Sequence, residues 1–207
     1  MPDFYLYIKA KALLKKLLFR FGYGSRVPKI IWEEQFSKGT WDYLEGKDEV
    51  LHYQTIIKLY ERQKNKNSIL DIGCGKGVLY KYLKEYGSLA ESNYLGIDLS
   101  DNAINAGSER FPGIKFHQLD FENEQLDERF DIIFFNESLY YFRRPFKIIE
   151  KCFRQNLQDN GIIIISMFDL IGHDEIWEKV RKHYHIIMEE EVMNDKGEKW
   201  KIKAIKK

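Results

Sequence analysis

The sequence predicts an α/β fold: a doubly wound sheet of seven strands, mostly parallel, ending in an antiparallel C-terminal hairpin and preceded by N-terminal helices. Three observations carry that expectation. From residue 68 onward, short apolar runs alternate with helical stretches, the pattern of a parallel sheet covered on both faces. Residues 132–135 and 162–165 are uninterrupted apolar runs, as in strands buried on both sides. Near the end, Asn194-Asp195-Lys196-Gly197 separates two extended segments, a hairpin signal.

Taken in order, residues 68–72 read as the first strand, and Val78, Leu79, Tyr82, Leu83 and Tyr86 as the stripe of the helix after it. Residues 94–98 are the second strand, with Ser100 placed to cap a short helix. Residues 114–119 are the third, ahead of an acidic loop, and 130–135 the fourth. Phe146, Ile149, Phe153 and Leu157 are spaced as a helix face that stops at Asn160-Gly161, before a fifth strand over 162–165. A helix near 174–183 leads into the hairpin segments 185–192 and 199–205. In the last of these, Trp200, Ile202 and Ala204 alternate with Lys199, Lys201 and Lys203, which predicts one buried face and one wet face.

Upstream, Leu6, Ala10, Leu13, Leu14, Leu17, Leu18 and Phe21 fall on one broad face of a helix over 5–21, flanked by lysines and Arg20 and stopped by Gly22 and Gly24. A second helix is expected over 48–64, with Val50, Tyr53, Ile57 and Tyr60 at helical spacing. The polar break at 64–67 suggests a division into an N-terminal arm and lid, 1–66, and a main domain, 67–207.

The chain has 207 residues, 44% apolar and 31% charged, an ordinary balance that excludes collagen-like, disulfide-stapled and wholly disordered classes. Lys and Arg total 33 against 32 Asp and Glu, so no global field points to a polyanion, and no basic stripe interleaved with aromatics supports nucleic-acid binding. The balance hides an asymmetry: residues 1–30 net +6 and the remainder −5. Two cysteines 78 positions apart make no metal spacing and suit a reducing, cytoplasmic setting; no membrane span or signal peptide is expected.

The most informative residues are Asp71-Ile72-Gly73-Cys74-Gly75-Lys76-Gly77, directly after the first strand and before a helix. Glycines there let the chain turn sharply and let a ligand approach backbone N–H groups. A Walker loop would need Ser or Thr after Gly75-Lys76, where Gly77 stands; the dinucleotide fingerprint would need glycine at Val78. What remains is a G-x-G-x-G turn led by an acid, which suits a ligand carrying positive charge. Cys74 reads as a small filler and Lys76 as a solvated charge. The glycines could also serve only a tight strand-to-helix turn.

This segment resembles the first motif of the S-adenosylmethionine-dependent methyltransferases of the Rossmann-like, seven-stranded class, and the resemblance covers about residues 68–207. It implies that Gly73, Gly75 and Gly77 admit S-adenosylmethionine close to the backbone, with Asp71 near its amino-acid end. Asp98, closing the second strand 21 residues past Gly77, can accept both ribose hydroxyls. NAD enzymes use the same device, and a solvent-facing strand-end acid is the plain alternative. By resemblance Leu99 lines the adenine slot, Asp120 accepts from the adenine amino group and Phe121 packs on the base, although acids crowd that loop.

In the family, the end of the fourth strand faces the methyl group. Here it reads Asn136-Glu137-Ser138-Leu139-Tyr140-Tyr141, with Asn136 at the cofactor end. Without two prolines after Asn136, methylation of nucleobase amines is disfavoured, and no metal-binding acid set is found, so no metal is expected. The stretch is similar to small-molecule methyltransferases, including nodulation-type enzymes that N-methylate a sugar amine. Glu137 is the first candidate for the acceptor-binding or base role, its alternative being a capping acid. His173 is the second, its alternative an ordinary surface histidine. Tyr140 and Tyr141 could wall the acceptor pocket or belong to the core. Trp41-Asp42-Tyr43 and His52-Tyr53 stand where a lid would lie, or simply pack the N-terminal helices.

The expected function is methyl transfer to O or N of a small molecule, a sugar or saccharide among the candidates; the alternative is a non-catalytic S-adenosylmethionine-binding module. The basic helix over 5–21 could dock on the acidic body, the reading favoured here, or make a peripheral membrane contact.

Overall fold

The computed structural model describes residues 11, 13–90 and 93–207. In chain order the elements are α1 (13–20), α2 (Lys29–Ser37), α3 (Val50–Glu61), β1 (Ile69–Ile72), α4 (Val78–Tyr86), β2 (Tyr94–Asp98), α5 (Asp101–Arg110), β3 (Lys115–Gln118), β4 (Phe130–Asn136), α6 (Pro145–Lys151), β5 (Leu157–Phe168), α7 (His173–His183), β6 (His185–Met193) and β7 (Lys199–Lys206). The strand order is β3-β2-β1-β4-β5-β7-β6, parallel up to β5 and antiparallel at β5–β7 and β7–β6, as expected from the sequence.

Alternation along the central strands sorts the core into two layers. Ile133 and Phe135 of β4 pack toward α6 and α7, with Ile149, Trp177 and Val180. Ile132 and Phe134 pack toward α3 and α4, with Tyr60, Leu79 and Leu83. α3 therefore shares the core of the sheet: Ile56, Leu59 and Tyr60 are fully buried in the same cluster as Ile69, Ile164 and Ile202.

Two local expectations are corrected. The helix expected to run through Leu157 to Asn160-Gly161 ends as α6 at Lys151, followed by one wide turn over Cys152–Asn156. Leu157 is already in β5, paired with Phe130, so its apolar side chain belongs to a strand that shares the spacing of the helix stripe. Arg129 stops the helix by donating to the carbonyls of Arg154 and Leu157, and the Asn156 amide donates to those of Leu126 and Glu128.

Lys203, expected on a wet face, is 1% exposed. α7 covers that side of β7, and the ammonium pairs with Glu189 and sits 5.0 Å from the Trp177 ring centre.

Among the described residues of the N-terminal helix Phe19 alone is buried, and the backbone at Lys16 lies over Gly172. Phe19, opposite the leucine face, is 1% exposed and meets His173 at 5.5 Å, while Leu13, Leu14, Leu17, Leu18 and Phe21 point to solvent. The expected first turns of that helix, residues 5–10, lie outside the described residues.

Candidate active site

Strand order reverses between β1 and β4, where an open parallel sheet leaves a crevice beyond its strand C-termini. A cavity of about 380 Å³ lies there. Its floor is built by residues 71–76, 97–99, 119–121 and 136–138, the segments that leave β1 to β4. Phe168 and Leu170 extend it past β5, and Trp200 reaches it because β7 runs antiparallel and starts at that edge.

Residues 26–49 cross over this opening. Trp32, Phe36, Trp41 and Tyr43 line the cavity, with Trp32 5.7 Å from Trp41 and edge-on to Tyr141 at 4.8 Å. Polar straps hold the segment down. The Glu33 carboxylate accepts from Ser100 Oγ at 2.8 Å and from the N–H groups of Asp101 and Asn102 at 2.8 and 3.0 Å. That is the N-terminus of α5, where free N–H groups favour an anion. Ser100 also caps α5 as expected, accepting from Ala103 N. Lys76, read as a solvated charge, instead pairs with Asp42 at 2.7 Å. Arg26 pairs with Asp120 at 2.6 Å and with Glu122.

Gly73, Gly75 and Gly77 have φ of 79°, 53° and 80°. A Cβ on Gly73 would stand 2.5 Å from the Ser138 Cβ, and one on Gly77 would stand 2.8 Å from the Phe116 ring. Packing therefore requires both glycines whatever the loop holds. Gly75 differs: a Cβ there meets only the Phe36 ring at 3.5 Å, and its N–H donates to Asp98 Oδ2 at 2.9 Å. Cys74 is a buried filler; a Cβ on Gly96 would lie 2.9 Å from its sulfur.

The cavity is acidic. Asp71 is 1% exposed; Oδ2 accepts from Tyr94 Oη at 2.6 Å, and Oδ1 has no partner among the described residues. Burial pushes its carboxyl up to about 7. Asp98 accepts through Oδ1 from Ser100 N and through Oδ2 from Gly75 N, both at 2.9 Å, and burial raises it to about 6. The Asp120 carboxyl is held below its ordinary value: burial opposes this, but hydrogen bonds from Arg26 and Asn123 prevail. Leu99 and Phe121 line the same end, so the residues expected around an adenosine stand together.

At the other end is Glu137, the one described residue other than glycine with positive φ, at 54°. Its Oε2 accepts from Tyr140 Oη at 2.9 Å and from Phe168 N at 3.0 Å, and burial pushes the carboxyl up to about 8. Oε1 lies 3.4 Å from Ser166 Oγ, which is 2.7 Å from His52 Nε2; His52 Nδ1 is 3.2 Å from Glu49 Oε2. Burial lowers His52, so the imidazole is neutral; the pairing that suits it is donation from Nδ1 to Glu49 and acceptance at Nε2 from Ser166. Asn136 lines the cavity, and its Oδ1 has no partner among the described residues.

His173 is not brought to the cavity wall. It is 2% exposed, lies behind Tyr140 with ring centres 4.4 Å apart and donates from Nδ1 to the Phe168 carbonyl at 2.7 Å. Of the expected lid residues, Trp41, Asp42, Tyr43 and Tyr53 line the cavity. His52 lies behind them, stacked on Trp200 at 4.9 Å. Sequence reasoning missed Trp32, Phe36, Glu49 and Trp200. The i,i+4 pair Trp32 and Phe36 is the one signal that could have marked its segment, since the two large aromatics share a helix face and are separated by Glu33, Glu34 and Gln35.

A cationic nucleoside fits this wall. Of the cavity's two basic residues, Arg26 and Lys76, both are already paired, whereas Asp71 offers an unpartnered, buried carboxyl oxygen beside the loop. An ammonium placed there would relieve an unpaired polar atom. Among the described residues no group of three or more His, Cys, Asp and Glu could hold a metal ion.

Known structures of the same fold include the N-methyltransferase NodS from Bradyrhizobium japonicum WM9 in complex with S-adenosyl-L-homocysteine: TM-score 0.68 at 15% identity, covering 84% of this chain and 96% of that one. Magnesium protoporphyrin IX methyltransferase from Synechocystis PCC 6803, with bound S-adenosylmethionine, gives 0.63 at 17% identity, covering 86% and 97%. In sequence, the chain is 27% identical over 115 residues to the malonyl-[acyl-carrier protein] O-methyltransferase of Acetivibrio thermocellus, 55% of this chain and 40% of that protein. It is 26% identical over 126 residues to the dTDP-3-amino-3,4,6-trideoxy-alpha-D-glucopyranose N,N-dimethyltransferase of Streptomyces venezuelae, 58% of this chain and 51% of that protein. The chain thus spans about half or less of the length of these curated relatives. A family model described as a methyltransferase domain matches residues 63–204, well over half of the sequence. The chain therefore belongs to the methyltransferase domain family, in its S-adenosylmethionine-dependent, Rossmann-like class.

Proposed function

We propose that the protein transfers a methyl group from S-adenosylmethionine to an O or N atom of a small molecule, with amino sugars and saccharides the first class to test. The observation that carries the reading is the unpartnered Asp71 carboxyl oxygen in an acidic cavity at the switch point of the sheet. The sugar class is supported only by the likeness to NodS and to the sugar N,N-dimethyltransferase.

When bound, the cofactor supplies an activated methyl on a sulfonium, so the protein's work is alignment and proton handling. In this reading Asp71 holds the ammonium end, Asp98 the ribose hydroxyls, and Leu99, Asp120 and Phe121 the adenine. Gly73, Gly75 and Gly77 keep the loop clear of side chains, and Asn136 faces the cofactor's reactive end. Within the N-terminal part, residues 26–49 act as the lid, with Trp32 and Trp41 excluding water, while α3 is built into the core of the sheet. Glu137 takes the acceptor's proton as the new bond to carbon forms, or before it forms when the acceptor is an ammonium. A carboxyl raised to about 8 is matched to that task near neutral pH. Ser166, His52 and Glu49 extend from Glu137 as a path along which that proton can move to a second carboxylate at the cavity wall.

The test is S-adenosylhomocysteine release across a panel of amino sugars, hydroxylated sugars, phenols and carboxylic acids. Turnover with one class and its loss in Glu137→Gln supports the reading. Tight S-adenosylmethionine binding with no turnover anywhere in the panel would favour the non-catalytic module instead.

A further inference from the structure

We propose that the protein docks on an anionic phospholipid surface through α1 and the basic cleft beside it. α1 sits on the body with Phe19 inward, and its leucines are turned out: Leu13 is 65% exposed, Leu14 58%, Leu17 49% and Phe21 70%. Lys16 and Arg20 flank that face on one side and Lys11 and Lys15 on the other, all exposed. A helix with an outward apolar stripe and basic borders is the arrangement that lies in a lipid interface, the stems of the basic side chains running along the apolar zone and their charges reaching the headgroups.

The surface continues beyond the helix. Gly24 N donates to the Arg143 carbonyl, and the Arg144 guanidinium lies 5.3 Å from the Tyr23 ring centre. From there Arg143, Arg144, Lys147, Lys151 and Arg154 border a second cavity of about 540 Å³, outnumbering its two acids, Glu122, which is paired with Arg26, and Glu124. Arg143, Lys147 and Arg154 have no ion-pair partner among the described residues. Their charge is complementary to phosphate headgroups, not to a second copy of the same basic face. On the active-site side, Leu170 and Ile171 are 45% and 66% exposed, Leu170 also lines the first cavity, and Gly172 packs under Phe19. Docking on this face brings the mouth of the active-site cavity to the lipid surface.

The experiment is co-sedimentation of the full chain with phosphatidylcholine vesicles, with and without phosphatidylglycerol, at low and high salt. Binding to the anionic vesicles, reduced by salt, is expected. Leu14→Glu/Leu17→Glu should reduce partition at least tenfold, and Arg143→Glu/Lys147→Glu should remove most of the preference for anionic lipid. These positions are exposed and outside the active-site cavity, so S-adenosylmethionine affinity and melting temperature should be those of the unaltered protein. That readout keeps the fate of this proposal separate from that of the methyl-transfer reading. Binding that is absent, or undiminished in the leucine variant, overturns the proposal. So does a concentration-dependent dimer that Leu14→Glu/Leu17→Glu dissociates without any vesicle binding, which would assign the face to a second copy.

Discussion

Asp98 at the end of β2 accepts a hydrogen bond from the backbone N–H of Gly75 at 2.9 Å, tying the ribose-binding candidate to the loop it works with. Its other oxygen accepts from Ser100 N, so the carboxylate is oriented before any ligand arrives. Removing it takes away both the ligand's acceptor and the clamp on the loop. Asp98→Ala should weaken S-adenosylmethionine at least about 100-fold, as expected when two charge-assisted hydrogen bonds worth about 1.5–3 kcal/mol each are lost. Calorimetry checks this, and unchanged affinity would remove Asp98 from the cofactor site.

Asp71 makes cofactor binding pH-dependent. Its carboxyl is raised from 3.8 to about 7 by burial, so without ligand the folded state prefers it neutral. That contribution to stability is full below the unfolded value and fades as pH rises through the folded one. A cationic ligand requires the ionised form, so affinity should increase about tenfold between pH 6 and pH 8. Asp71→Asn should flatten both the stability profile and the binding profile. Melting curves and calorimetry in buffers of different ionisation heat provide the measurements.

Gly73 is set by Ser138. A methyl there collides with the Ser138 Cβ at 2.5 Å while holding a φ of 79°, so Gly73→Ala should cost about 2–5 kcal/mol in urea unfolding. Adding Ser138→Gly should recover part of that loss. Gly113→Ala separates the two causes: its φ is 90° with nothing within 4 Å, so only the conformational cost of about 1–2 kcal/mol remains.

Glu137 should govern the pH profile of turnover. With its carboxyl near 8, activity on an acceptor that must lose a proton should rise with pH up to about that value. Glu137→Gln should abolish that limb and lower kcat by about 10²- to 10⁴-fold, while S-adenosylmethionine affinity stays within about threefold. An unaltered pH profile in the variant would return Glu137 to a purely structural latch between β4 and β5.

Lys203 offers a test away from the site. It is buried against Trp177 and paired with the partly exposed Glu189. Lys203→Met keeps the packing and removes the buried charge, and should stay within about 1 kcal/mol of the parent. Glu189→Ala strands the ammonium and should cost more, about 1–3 kcal/mol. Thermal unfolding of the two variants distinguishes them.

Much of the architecture was legible because it rests on local pattern. Continuous apolar runs at 132–135 and 162–165 can only be satisfied with both faces covered, and Asn194–Gly197 can only turn a hairpin. The glycine loop, its leading acid and Asp98 stood out for the same reason: each is a residue type demanded at a fixed distance from a strand end. What stayed hidden depends on partners distant in sequence. Leu157 matched a helix stripe until its pairing with Phe130 made it a strand, and Lys203 matched a wet face until α7 covered it. The Glu49–His52–Ser166–Glu137 path joins α3, β5 and the end of β4, and no spacing along the chain announces it. His173 looked like a site residue by its position after β5, but Tyr140 stands between it and the cavity. The sequence by itself determined the sheet, its turns and the acid-led glycine bend, since periodicity and backbone sterics act over a few residues. Only tertiary structure decided which acids face the cavity, which glycines are set by packing, and that the leucines of α1 point outward, because burial is a property of what lies across the fold.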